Sequence, residues 1–274
     1  MVRVRNGQRN RRKTTAGNFL RRWGVFVSLS CILLLNGCLY PDEMRKQNNV
    51  NLQEYLPVVQ QAVDVYREKT GVLPIKNSEI ETPLYEKYVI DFQKLKERGL
   101  MSTLPPNAFE SGGTYIYVLI HVEEKPEVRL MDLKGYQTVQ ELQAKVEGYK
   151  TKNGKLPKGE PVSNGFHYLD FIQLGMKDPQ LKSLFNRNQT VSFVLHDSGK
   201  VGIDIAPDLA KEIEKQQLAS KLEAKQDLRE ILIQSTPFVP VPSFSYHWEK
   251  GQPVPVLEPV QETHKRGQKI LLPV

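Results

Sequence analysis

The 274-residue sequence has two cysteines, Cys31 and Cys38, and none in its last 236 positions. A body without thiols excludes a disulfide scaffold and a Cys-x-x-Cys centre. The five histidines (His121, His167, His196, His247 and His264) show no His-x-x-x-His spacing. Neither a Gly-x-Ser-x-Gly elbow nor a phosphate-cradling glycine loop is present. Acidic residues are missing from the first 23 positions, which hold eight basic ones: Arg3, Arg5, Arg9, Arg11, Arg12, Lys13, Arg21 and Arg22.

That basic stretch runs into the apolar segment Gly24 to Leu35. Its length is too short to span a bilayer, since twelve residues at ~1.5 Å rise reach ~18 Å against a hydrocarbon core of ~30 Å. A charged region followed by a short apolar one reads as an export signal removed from the mature protein. The segment ends in Leu35, Asn36, Gly37 and Cys38, which resembles a bacterial lipobox, with Asn36 the departure from its usual small residues. The resemblance implies a palmitate-type diacylglycerol on the Cys38 sulfur and cleavage just before Cys38. It also implies a cell-membrane address, lipid-anchored on the extracytoplasmic face. Neither arginine pair has the flanking pattern of twin-arginine export.

Cleavage changes the charge. The whole chain has 38 basic and 31 acidic residues. Without the signal, thirty basic residues face thirty-one acidic ones. The basic balance belongs to the signal, so nucleic acid is not an expected partner.

After a polar tether over 38–50, the body reads as two similar units. Tyr66, Gly71, Leu73 and Pro74 match Tyr149, Gly154, Leu156 and Pro157 at a constant step of 83. Further on, "YVIDFQKL" from Tyr88 answers "YLDFIQL" from Tyr168, and the stretch from Thr114 answers that from Thr190. Each unit is expected to run helix, glycine stop, irregular linker, β-hairpin, over 51–135 and 136–206. Val59, Ala62, Val63 and Tyr66 form the buried stripe of the first helix, with Asn51 and Glu54 as its cap and a start near Leu56 because of Pro57. Thr138 and Glu141 have capping-box spacing for the second, whose stripe is Val139, Leu142, Val146 and Tyr149. "EEKP" and "DSGK" read as hairpin turns.

Residues 207–234 are rich in helix formers and are expected to form one C-terminal helix. Seven prolines in 235–274 predict a mostly extended tail, with Phe244, Tyr246 and Trp248 alternating, either as an edge strand packed against the body, the favoured reading, or as an exposed docking patch. The expected fold class is therefore α+β: tandem duplicated helix plus β-hairpin units, then a helix and a Pro-rich tail.

Chemistry-bearing groups are sparse. "HDSG", His196 to Gly199, holds hydrolase letters, but consecutive residues do not build a triad. Asp132 and Asp204 end matching strands and form a candidate metal-binding or carboxylate pair; local backbone bonding is the competing and commoner reading. Asp91 and Asp170 read as turn or helix caps. Tyr66, Tyr88, Phe92, Tyr149, Tyr168 and Phe171 recur in both units, either lining a cleft or filling two cores. No cofactor and no metal are expected, and the chain is not expected to be an enzyme.

The stretches "LNGCLYP", "VLPIK", "TPLYEKYVIDF", "FESGGTYIYVLI" and "TPFVPVPSFSY" resemble the YphF-like lipoproteins of Bacillus-type bacteria, a group with no activity to transfer. Some members are labelled as binding components of ABC transporters. The repeated unit is also distantly similar to pseudopilin heads, although Cys38 interrupts the long N-terminal helix that those keep. A membrane-anchored, non-catalytic binding or assembly module of the cell envelope is the expected function, with an unidentified envelope protein or small ligand as partner. Solute capture for an ABC transporter and an envelope hydrolase are the alternatives.

Overall fold

The order of elements follows from where the apolar stripes stop. In the computed structural model, which describes residues 52–79 and 82–257, helix α1 (Leu52–Thr70) is followed by the short helices α2 (Leu84–Lys87) and α3 (Phe92–Glu97) and the hairpin β1 (Tyr115–Ile120) and β2 (Glu127–Asp132). Then come α4 (Leu133–Asn153) and a four-stranded antiparallel sheet, β3 (Lys158–Ser163), β4 (Phe166–Leu169), β5 (Phe193–His196) and β6 (Val201–Ile203). Helices α5 (Ala206–Lys215) and α6 (Arg229–Ser235) and a last hairpin, β7 (Ser245–Glu249) with β8 (Gln252–Val256), complete the fold. The fold class is α+β.

Helix α1 lays Val59, Ala62, Val63 and Tyr66 against Tyr117, Leu119, Val128 and Leu130 of the first hairpin. Likewise α4 lays Val139, Leu142 and Val146 against Leu169, Phe193, Leu195 and Val201. Both helices stop at a glycine with positive φ, Gly71 at 73° and Gly154 at 67°. Each donates its N–H four residues back, to Arg67 O and Lys150 O, both at 2.8 Å. A left-handed residue closes a helix cheaply only when it has no Cβ.

The hydrogen bonds of the two units recur position by position. Asp91 N donates to Pro74 O at 2.7 Å and Asp170 N to Pro157 O at 3.0 Å. Ile75 bridges Ile90 as Lys158 pairs with Leu169, and Val89 bridges Val118 as Tyr168 pairs with Val194. On the helices, Gln60 and Gln143 hold the hairpins in the same way. Gln60 donates to Pro126 O at 2.9 Å and accepts from Val128 N at 2.8 Å. Gln143 donates to Gly199 O and accepts from Val201 N, both at 3.0 Å.

A strap formed by residues 237–242 then closes both hairpins on their outer edges. Leu130 N donates to Pro237 O at 2.9 Å, and Val239 N returns a bond to Leu130 O at 3.0 Å. At the other end, Ile203 N donates to Pro242 O at 2.8 Å. Covering an edge removes a row of unpaired backbone groups that would otherwise template aggregation.

Several expectations are corrected. Helix α1 begins at Leu52, four residues before the expected start, and keeps Pro57 inside it. Because Pro57 is exposed, its missing ladder bond lies on the solvent side. Helix α4 begins at Leu133, not at a Thr138 box. Asp132 is its N-cap, accepting from Gly135 N at 2.7 Å, while the Thr138 hydroxyl donates to Lys134 O at 2.8 Å within the helix. The unit boundary therefore falls after Asp132, three residues before the expected one. In the second unit, the expected irregular linker contributes two strands, β3 and β4.

The expected helix over 207–234 is two helices. Gln217 has a φ of 54°, and the segment between them is mostly exposed, with Leu218 and Leu222 only half-buried. Leu218 and Leu222 pack only partly against the core around Leu209 and Ile213, and helix-forming side chains alone do not hold a helix with so little burial.

The tail over 235–274 is likewise not simply extended, because it holds the strap and the last hairpin. That hairpin turns at Lys250 and Gly251, both with positive φ, as a two-residue loop requires. Pro253 faces Trp248 and Pro255 faces Tyr246. Counting from that turn, these are the non-hydrogen-bonded pairs, where a strand tolerates proline. Tyr246 is fully buried among Leu209, Ile213, Leu228 and Leu232, and Phe244 and Trp248 pack partly against it.

Candidate functional site

The strap crosses a small cavity of about 30 Å³ where the two units meet. It is lined by the apolar Leu181, Ile203, Val239 and Val241 and by the polar Asp132, Ser183 and Asp208. Asp132 is there because it ends β2 and caps α4. Gly135 keeps the approach open: a Cβ at that position would lie 3.1 Å from Asp132 Oδ2. Burial pushes the Asp132 carboxyl up, against the Gly135 N–H that holds it down.

Asp208 sits in the first turn of α5 and is 5% exposed. Its Oδ2 accepts from Ser183 Oγ at 2.8 Å. That hydroxyl is fixed in turn by Phe185 N at 3.1 Å and Asn186 N at 3.0 Å. Asp208 Oδ1 is buried and has no protein partner. Burial raises this carboxyl, Ser183 lowers it, and nearby Asp204 raises it further. A buried carboxylate oxygen with no donor is costly to maintain.

Asp204 is committed elsewhere: its Oδ1 accepts from Tyr246 OH at 2.9 Å and Ala206 N at 3.0 Å. Asp132 and Asp204 thus both bond local backbone, as their competing reading holds. Among the described residues, no group of three or more His, Cys, Asp or Glu side chains is placed to hold a metal.

A second polar centre surrounds Arg229, which is 7% exposed. Its guanidinium bonds the Asp227 carboxylate through Nε at 2.9 Å and through a terminal nitrogen at 2.6 Å, and stands 4.9 Å over the Tyr85 ring. Burial pushes the Glu86 carboxyl up to about 7, with Arg229 pulling the other way. Alongside, Glu230 accepts from Tyr85 OH at 3.3 Å and stands 3.2 Å from His121 Nε2. This cluster joins α2 to α6 and has the character of an internal brace.

The "HDSG" residues do not converge. His196 Nδ1 accepts from Ser198 N at 3.0 Å, while Asp197 pairs with Lys158 at 2.7 Å and lies 3.5 Å from His167. Asp91 and Asp170 each accept backbone N–H bonds two residues on. Tyr66, Tyr88 and Phe92 belong to the first core, and Phe171 packs on the second with its ring 5.9 Å from Phe193. Tyr149 is half-buried and donates to Gln173 at 3.2 Å, whereas Tyr168 is 39% exposed. The six aromatics are therefore not gathered into one cleft. Leu35, Asn36, Gly37 and Cys38 lie outside the described residues, as do the signal and the tether.

Ser183 and Asp208 were not singled out by sequence reasoning. Neither belongs to the repeated pattern or to a motif, and only the tertiary fold places them with Asp132 on the lining of one pocket.

Residues 52–132 match the model of the YphF family N-terminal domain. That stretch is similar to the YphF N-terminal domain. The matched YphF segment begins with α1 and ends with β2, so it coincides with the first helix-hairpin unit. No curated protein and no solved structure matches the chain. Asp132, the last matched residue, is also the one that this domain contributes to the pocket.

Proposed function

We propose that this chain is a lipoprotein of the cell envelope, held on the extracytoplasmic face of the cell membrane by a diacylglycerol on Cys38, and that its body is a non-catalytic binding or assembly module. The observation that carries the binding role is the pocket beneath the strap, whose lining joins the carboxylates of Asp132 and Asp208 to apolar side chains. Groups that catalysis would draw on have structural commitments instead: His196 to its own turn, Asp197 to Lys158, Asp204 to Tyr246 and α5. The anchor rests on the sequence, in which a short apolar segment ends at Cys38 behind eight basic residues.

The recurring bonds support a finer reading of the fold, in which the two helix-hairpin units arose by duplication of one. Gln60 and Gln143 are the strongest support, because a side-chain amide with the same two backbone partners is not required by a helix-hairpin topology.

Solute capture for an ABC transporter is the second reading. The pocket favours it, while the antiparallel pairing of all the named strands departs from lobes built on parallel sheets. Protease added to wall-stripped cells tests the common part of both readings. The body should be degraded while cytoplasmic markers survive, and a fatty-acid label should enter wild type but not Cys38→Ala. A protected body or an unlabelled wild type contradicts the proposal.

A further inference from the structure

The pocket beneath the strap has one chemical polarity. Asp132 and Asp208 both line it, Lys182 of the lining points its ammonium at Thr190 Oγ1, 3.1 Å away, and Lys211 draws the Asp208 carboxyl down without a hydrogen bond to Oδ1. Asp132 Oδ2 and Asp208 Oδ2 already accept bonds from Gly135 and Ser183. Asp208 Oδ1 does not. What the site lacks is therefore a hydrogen-bond donor, preferably a charged one, since a donor carrying positive charge offsets carboxylate burial best.

The walls decide between kinds of cation. Leu181, Ile203, Val239 and Val241 supply no oxygen ligands from their side chains, whereas a hard divalent ion needs six or more oxygens, water included. An organic cation with a short carbon body meets both the carboxylates and the apolar side chains of the lining, and a cavity of about 30 Å³ admits only a small one.

We propose that the pocket binds a small organic ligand bearing a primary ammonium group, which donates to Asp208 Oδ1 and to the Asp132 carboxylate while its aliphatic body lies against Val239 and Val241. This deepens the binding role proposed above and rests on it. Ser183 is a positioning residue: it fixes Asp208 so that Oδ1 is left for the ligand. The strap does two jobs, covering both hairpin edges and roofing the site.

The test uses the full chain in detergent near pH 8, where an alkylammonium stays charged. Three probes of one carbon skeleton are compared: n-butylammonium chloride, sodium butyrate and 1-butanol. The backbone amide signals of Gly135 and Ser183 are followed by NMR together with thermal unfolding. The expected result is a saturable shift of both signals with n-butylammonium alone, a rise in Tm, and an affinity reduced about tenfold or more in Asp208→Asn, the weight of one charge-assisted bond. Should Asp208→Asn fail to fold, Asp132→Asn and the wild-type signals carry the test.

Saturation by 1-butanol or butyrate in place of the amine overturns the ammonium assignment and leaves the binding role standing. Equal n-butylammonium affinity in a folded Asp208→Asn also overturns the proposal. Silence of both signals with all three probes removes the pocket as a ligand site, and with it the ligand-binding half of the proposed function.

Discussion

Gln60 and Gln143 stand one unit apart and make the same pair of bonds, each side-chain amide reading one carbonyl and one N–H at the end of its own hairpin. Replacing either with Ala removes both bonds to the hairpin, along with an exposed bond to the acid one turn on (Asp64 or Glu147), and leaves a partly buried donor and acceptor behind. The expected loss is roughly 1–3 kcal/mol for each variant, similar for the two. Urea unfolding of Gln60→Ala and Gln143→Ala measures it. A loss near zero in one and large in the other would show that the two amides are not equivalent.

Much of this arrangement was legible in the sequence because it is local. The stripes through Val59, Val63 and Tyr66 and through Val139, Leu142 and Val146 announce the helices, and Gly71 and Gly154 announce where they stop. The strap was not legible: its bonds join Leu130 and Ile203 to residues dozens of positions away, and its prolines suggested only extended chain. The pocket was hidden for the same reason, since Asp132, Ser183 and Asp208 have no common spacing and meet only through the tertiary fold. A sequence rich in helix formers over 207–234 also concealed a break at a segment that is only partly packed, with Leu218 and Leu222 half-buried.

Glu86 makes stability depend on pH. Burial raises its folded pKa to about 7 from 4.5, so the folded chain binds a proton that the unfolded chain has released between those values. Its contribution to stability is full below the unfolded pKa and is lost as pH rises through about 7. Glu86→Gln is expected to flatten this slope and to stabilise the protein above pH 7 relative to wild type by on the order of 1–3 kcal/mol. Denaturant melts of both proteins across the window check it. Parallel curves would place the titrating group elsewhere.

Gly113 is a point of close backbone approach. A Cβ there would fall 2.1 Å from the carbonyl carbon of Asn107, a backbone atom that cannot swing aside. Gly113→Ala is therefore expected to cost more than about 3 kcal/mol, at or above the upper end for overpacking. A variant with wild-type thermal stability would mean that the loop at Asn107 sits differently.

Removing the strap should expose both hairpin edges at once. A chain ending after Thr236 loses the bonds to Leu130 and Ile203 together with the hairpin that buries Tyr246. Self-association is expected, measured by size-exclusion chromatography with light scattering. A truncated chain that stays monomeric and folded would deny the strap its role.

Intact mass of the protein extracted from membranes tests the central claim, that this chain works from the membrane surface through Cys38. The account predicts a species whose first residue is Cys38 and whose excess mass is a diacylglycerol, absent from the Cys38→Ala protein. An unlipidated chain that keeps residues 1–37 would contradict it and would restore the basic N-terminus as part of the working protein.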